Sequence, residues 1–256
     1  AEEENRGSCP ADPVLVLQAM WRKIGYIPAA ARLADPKRET PLLIFLAEGK
    51  LTLEAMAERV NEEVKSRGRA VVVLSEGCDV GDLGFVKDSF GHASFGASQT
   101  TAQQALVNYL NAHGICAKGA ARGQVFGTDQ RSTAIYASTV DLDEAYRVGQ
   151  KAVLLAVNGE NGFMSTILRE PGMIYQVRYD QAPLELVANS ERTFPEAWIA
   201  PDKADVTDDF LAYVRPLVGE DFPSVPVVDG RQRFARLEPV FAEKKLAEYT
   251  PQADRK

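Results

Sequence analysis

The segment Arg122-Gly-Gln-Val-Phe-Gly-Thr128-Asp129-Gln130-Arg131-Ser132 carries the residue types best suited to hold an anion. Two arginines bracket a strand-like run and the loop that leaves it at Gly127. A guanidinium offers a planar fork of N–H donors that fits phosphate or carboxylate oxygens, and it stays charged at any working pH. Taken locally, the same residues also read as a surface strand with two solvated arginines, with Asp129 a weak solvated partner for Arg131. A second candidate is Met20-Trp21-Arg22-Lys-Ile-Gly25, just after the apolar run Val14-Leu-Val-Leu17. Strand, polar turn and helix start in succession leave free backbone N–H groups facing outward, where anions bind. Met20 and Trp21 are equally suited to core packing. Two carboxylates, Glu48 and Glu76, each follow an apolar run. Either could accept from ligand hydroxyls or sit at the N-terminus of the next helix.

Such residues work together only if the fold brings their loops to one edge. Residues 14–17, 42–46 and 70–74 are apolar runs of the kind buried on both faces of a sheet. Between them, a helical stretch from Met20 to Ala34 is stopped by Asp35-Pro36. A second helix is capped by Thr52, aligns Leu53, Met56, Ala57, Val60 and Val64 on one face, and closes at Gly68. This alternation predicts an α/β fold, a parallel sheet flanked by helices with right-handed crossovers. Ligands gather at the carboxyl ends of such strands. Residues 78–98, rich in Gly, Asp and Ser, form a connection long enough to be functional. Within it Asp79 and Asp82 read as turn residues and His92 as a hydrogen-bonded structural histidine. A helix over 100–113, a strand over 115–126, and a helix opened by Asp141 and Glu144 follow. A hairpin is expected from residues 163–168 and 173–179. The expected organisation is a frayed lead-in (1–13), an α/β domain (14–160), and a hairpin with a helical, proline-rich extension (161–256) lacking a core of its own.

Across 256 residues the composition is ordinary for a globular protein, 45% hydrophobic and 25% charged. A net charge of −7 argues against nucleic acid or anionic membrane as partners, so any anion site must be a local concentration of basic groups. Three scattered cysteines (Cys9, Cys78, Cys116) and two histidines argue against zinc, with Cys116 inert in an apolar strand. No apolar run reaches membrane-spanning length and the first residues are not a signal peptide, so cytoplasm is the expected location. The start at Ala1 suggests a processed chain or a piece of a longer one.

Together, Met20-x-Arg22-x-x-Gly25-x-Ile27-x-Ala29-Ala30, Leu46-Ala47-Glu48, Val72-Val-Leu-Ser-Glu-Gly77, Asp88-Ser-Phe-Gly-His92, Gln130-Arg131, Asp143-Glu-Ala-Tyr-Arg-Val-Gly149 and Leu186-Val-Ala-Asn189 resemble the phosphofructokinase family. The resemblance is to its long pyrophosphate-dependent branch and runs from about Val14 to about Leu246. It implies the fructose 6-phosphate-binding half, with the phosphoryl transferred from diphosphate to the sugar with Mg2+, in a homodimer or homotetramer. On that resemblance Met20, Trp21 and Arg22 stand where the family has a sugar-contacting Met-Gly-Arg triplet, and Glu48 where a glutamate holds sugar hydroxyls. Thr128, Asp129, Gln130 and Arg131 stand at the Tyr-x-Gln-Arg segment, and Arg122 at an arginine that reaches a neighbouring subunit's sugar phosphate. Trp21 replaces the family's Gly and Thr128 its Tyr. The diphosphate-binding glycine-rich loop and the Thr-Ile-Asp-x-Asp segment, with the base and most magnesium ligands, match nothing in these residues, so no catalytic or metal-binding residue is expected here. Other readings are a non-catalytic sugar-phosphate-binding paralogue, an ATP-dependent phosphofructokinase fragment, and a structural module with Arg122 at an oligomer contact.

Overall fold

The computed structural model describes residues 1–82, 86–87, 93–94, 100–188, 190–219 and 221–245. His92, most of the 78–98 connection, and Asn189 lie outside the described residues. In chain order the elements open with α1 (Glu2–Ser8), β1 (Val14–Ala19), α2 (Tyr26–Ala30), β2 (Leu42–Phe45), α3 (Leu53–Arg67) and β3 (Ala70–Ser75). A short antiparallel pair, β4 (Val86–Lys87) and β5 (Ala93–Ser94), precedes α4 (Ala102–His113), β6 (Ala121–Val125), α5 (Asp129–Ser132) and α6 (Thr139–Val157). Then come β7 (Phe163–Arg169), β8 (Val177–Pro183), α7 (Leu184–Val187) and α8 (Asp208–Val218). Last are β9 (Val227–Val228) and β10 (Arg231–Gln232).

The central sheet is parallel, in the order β2-β3-β1-β6. The central strands β1 and β3 are buried on both faces, as their apolar runs require. Side chains alternate between two layers: Val14, Val16, Val72 and Leu74 pack with Met56, Val60, Val64, Leu106 and Leu110 of α3 and α4. Leu15, Leu17, Val71 and Val73 point to the opposite face. There Ile44 and Leu46 meet Ala29 of α2, Phe194, and Phe210, Leu211 and Val214 of α8. Thr52 and Thr101 cap α3 and α4 by accepting from Ala55 N and Gln104 N, and Gly68 closes α3 at a φ of 77°.

Several expectations change. The lead-in does not fray: α1 docks through Arg69, which donates to Glu2 Oε1 and Oε2 and to Asn5 Oδ1, while fully buried Asn5 donates to Pro13 O. No helix begins at Met20, because Trp21 and Arg22 have φ of 129° and 53°, incompatible with right-handed helix. The 115–126 strand contracts to β6, and α6 opens at Thr139 under a cap from Ser138 rather than at Asp141. The hairpin forms as β7 and β8, paired from Phe163↔Pro183 to Arg169↔Val177. One compact unit runs from Ala1 to Pro223 and a second from Ser224 onward, the first spanning the α/β segment and the hairpin together. The reason is that residues 194–214 are part of the core. Buried Arg32 fastens the same region, donating to Asp205 Oδ1 (2.8 Å), Asp35 Oδ2 (3.1 Å) and Leu42 O (2.7 Å). No helix among the described residues is long and apolar enough to cross a membrane.

Candidate functional site

Strand order decides which loops meet. β3 lies beside β1 with Ser75 opposite Ala19, so the chain leaving β3 runs alongside the loop leaving β1. Glu76 N donates to Ala19 O (3.0 Å), and the Glu76 carboxylate turns back beneath the loop. Its Oε1 accepts from Trp21 N (3.0 Å) and Arg22 N (2.7 Å), and the residue is 93% buried, with 7% of its surface exposed. Ser75 Oγ donates to Arg22 O (2.9 Å). These bonds hold Trp21 and Arg22 in left-handed conformations that cost a non-glycine residue of order 1–3 kcal/mol each. Gly77 completes the close approach, since a Cβ there would lie 2.3 Å from Arg22 O. β6, on the other side of β1, delivers α5: Gln130 Oε1 accepts from Met20 N (2.8 Å) and its Nε2 reaches Met20 O (3.5 Å). Three strand exits therefore converge on Met20, Trp21 and Arg22.

Around this knot, Trp21, Arg22, Thr128, Asp129, Gln130 and Arg131 are all exposed. Thr128 opens α5 without a side-chain capping bond, and Asp129 O accepts from Thr133 Oγ1. Cations at Arg22 and Arg131, backbone pinned by Gln130, and a buried carboxylate at Glu76 suit a small polyhydroxylated anion.

Two expected site residues stand elsewhere. Glu48 ends β2, separated from β1 by β3, and its Oε1 accepts from Gly25 N (3.0 Å) and Phe194 N (3.1 Å). Its Oε2 is buried without a hydrogen-bond partner. Glu48 thus ties the start of α2, three residues beyond Arg22, to the 194 region. Arg122 pairs in register with Leu15, five residues before Met20, which places it roughly 16 Å back along the strands. It donates to Glu4 Oε1 (2.6 Å) and lies 3.6 Å from Asp12 Oδ2. Arg122 and Arg131 therefore do not form one clamp within a subunit.

A hollow of about 670 Å3 opens on the β2–β3 side, lined by Lys23, Glu48, Lys50, Thr52, Glu54 and Asp79 among others. Neither Glu76 nor Gln130 lines it. The candidate site is placed at the Met20–Arg22 loop because a fixed hydrogen-bonded constellation, rather than volume alone, orients a ligand.

The chain is 35% identical over 243 residues to the pyrophosphate–fructose 6-phosphate 1-phosphotransferase of Halomonas elongata, covering 92% of this chain and 56% of that protein. The enzyme of the same name from Methylococcus capsulatus is 33% identical over 241 residues, covering 91% and 55%. The crystal structure of the pyrophosphate-dependent phosphofructokinase from Nitrosospira multiformis superposes with a TM-score of 0.78 at 33% identity, covering 97% of this chain and 58% of that one. The chain belongs to the phosphofructokinase family. It spans a little over half the length of these relatives and corresponds to their C-terminal part. No family model matches it. Against the phosphofructokinase Met-Gly-Arg triplet, the φ of 129° at Trp21 is informative: the backbone keeps a glycine-like conformation although the residue is tryptophan. Glu76 is the carboxylate under the triplet, while Glu48, expected on the resemblance to hold sugar hydroxyls, takes Gly25 N just beyond it. Both glutamates end apolar strands, and strand order decides which of them meets Trp21 N and Arg22 N.

Proposed function

We propose that this chain is the sugar-phosphate-binding part of a cytoplasmic pyrophosphate-dependent 6-phosphofructokinase, which moves a phosphoryl group from diphosphate to the 1-hydroxyl of fructose 6-phosphate. The convergence of the β1, β3 and β6 exits on Met20–Arg22 carries the reading, supported by relatives named for that reaction. Arg22 and Arg131 neutralise the sugar phosphate, Glu76 accepts from sugar hydroxyls, and Gln130 fixes the triplet that lies against the sugar. Thr128 supplies a shorter hydroxyl than tyrosine, within reach of the ligand through a water. Arg122, remote from Arg131 in its own subunit, exchanges Glu4 for the phosphate in a neighbour's site, which makes the working form a homo-oligomer.

Magnesium belongs with the diphosphate. Among the described residues no group of three or more His, Cys, Asp or Glu is placed to hold a metal, so no step through magnesium is assigned to them. These residues supply positioning and charge neutralisation, the main resources of phosphoryl transfer. The region by which the relatives exceed this chain rests on α6 and the β7–β8 hairpin, where Tyr146, Val153, Val157, Met164 and Ile167 are exposed.

Calorimetric titration of the chain with fructose 6-phosphate tests the reading. Saturable binding weakened at least about tenfold by Arg131→Ala is expected, a loss of about 1.4 kcal/mol. Absence of binding, or binding indifferent to Arg131, would refute it. Trp21 motivates a second reading, a paralogue that binds the sugar phosphate without turnover. Tight binding with no fructose 1,6-bisphosphate formed from diphosphate, even with the N-terminal part of a relative supplied in trans, would favour it.

A further inference from the structure

Trp21 combines three features that are hard to reconcile with a purely structural role. Its φ of 129° lies in a region where side chains are disfavoured. The residue is 57% exposed, so the strain is not offset by burial in the core. Its amide is nevertheless fastened to Glu76, and the next amide with it, so the strained loop is firmly held. A strained, exposed aromatic on a rigid mount is a side chain displayed to something outside the fold. The mount also fixes what lies near it, since Met20 is bound by Gln130 and Arg131 follows immediately in α5.

Building on the sugar-phosphate reading, we propose that Trp21 is a specificity-determining residue whose indole forms a platform for the carbon face of a phosphorylated ketohexose. A sugar ring has a polar rim of hydroxyls and an apolar face of C–H bonds. The rim suits Glu76, the phosphate suits the arginines, and the C–H face suits an indole π surface. Where the family places glycine, the ligand would meet bare backbone. Here it meets an aromatic ring, and the site thereby favours a sugar phosphate over phosphate alone. The substitution does not close the site, because the indole lies outside the packed core and Glu76 preserves the loop path.

The test uses the full chain, with calorimetry on the parent, Trp21→Phe and Trp21→Gly, and fructose 6-phosphate and inorganic phosphate as separate ligands. The parent and Trp21→Phe bind fructose 6-phosphate similarly, whereas Trp21→Gly binds about fivefold more weakly, the scale of one aromatic contact. Affinity for inorganic phosphate is the same in all three. In a Trp198→Phe background Trp21 is the only indole, and its emission shifts to the blue as fructose 6-phosphate saturates. Thermal melting separates folding from binding, because Trp21→Gly relieves the positive φ and melts no lower than the parent. Equal or tighter binding by Trp21→Gly, or unchanged Trp21 emission at saturation, overturns the platform while leaving the sugar-phosphate reading intact. Absence of binding in parent and variants alike sinks both. Binding only after Trp21→Gly shows that the indole blocks the site and overturns the platform.

Discussion

Replacing Glu76 by alanine removes the acceptor shared by Trp21 N and Arg22 N. Both bonds end on a carboxylate oxygen, and bonds to a charged group contribute about 1.5–3 kcal/mol each, so the pair contributes about 4.5 kcal/mol at mid-range. The substitution also frees Trp21 and Arg22 to leave their left-handed conformations, recovering about 1 kcal/mol at each residue. The net destabilisation is therefore about 2.5 kcal/mol. Equilibrium urea unfolding followed by far-ultraviolet circular dichroism measures it, with Glu76→Gln losing less because one neutral acceptor remains. A double-mutant cycle isolates the strain. In the parent, Trp21→Gly is close to neutral, because about 1 kcal/mol of φ relief offsets glycine's extra chain entropy of about 0.5–1 kcal/mol. In the Glu76→Ala background the loop has already relaxed, so only glycine's entropic cost remains and the same substitution destabilises by about 0.5–1 kcal/mol. A Glu76→Ala effect below about 0.5 kcal/mol, or strictly additive substitutions, would refute the latch.

Gly77→Ala brings a methyl group within 2.3 Å of Arg22 O and 2.8 Å of Lys23 Cα, so a stability loss of about 2 kcal/mol or more is expected, and a melting temperature equal to the parent's would contradict it. Asp35 is pulled in two directions: burial raises its pKa, but the Thr40 hydroxyl, the Glu39 and Thr40 amides and Arg32 together hold it below the ordinary 3.8. A lowered folded pKa stabilises above the unfolded value and is lost as pH falls through the folded one. Melting curves should hold steady above about pH 5 and fall below about pH 4, less steeply in Asp35→Asn, and a parallel acid profile in that variant would exclude Asp35 as a cause. Burial pushes the Cys78 thiol up to about 12, whereas Cys116 is exposed. At pH 8 a thiol reagent should modify Cys116 in the native chain and Cys78 only on unfolding, as peptide mapping by mass spectrometry would show.

The parallel sheet was legible because its strands are short, apolar on both faces, and separated by amphipathic segments with recognisable caps such as Thr52 and Gly68. The functional stretches were legible as chemistry but not as geometry. Glu48 and Glu76 look alike in sequence, each a carboxylate at the end of an apolar run. The order β2-β3-β1-β6 sets Glu76 beside the β1 exit, where it takes Trp21 N and Arg22 N, while Glu48 takes Gly25 N farther along the chain. Similarly, Arg122 and Arg131 are close in sequence, but an intervening strand and turn carry them to opposite ends of β6. The core role of residues 194–214 was hidden by their prolines and short elements. It depends on long-range partners such as Asp205 with Arg32, which local patterning cannot reveal.

The most direct test of the proposed site is a crystal structure of this chain with fructose 6-phosphate. Phosphate oxygens are expected within about 3.2 Å of the Arg131 guanidinium, with sugar hydroxyls at the Glu76 carboxylate. A ligand seated instead in the hollow between Lys23 and Glu48, with Arg131 and Glu76 untouched, would contradict it.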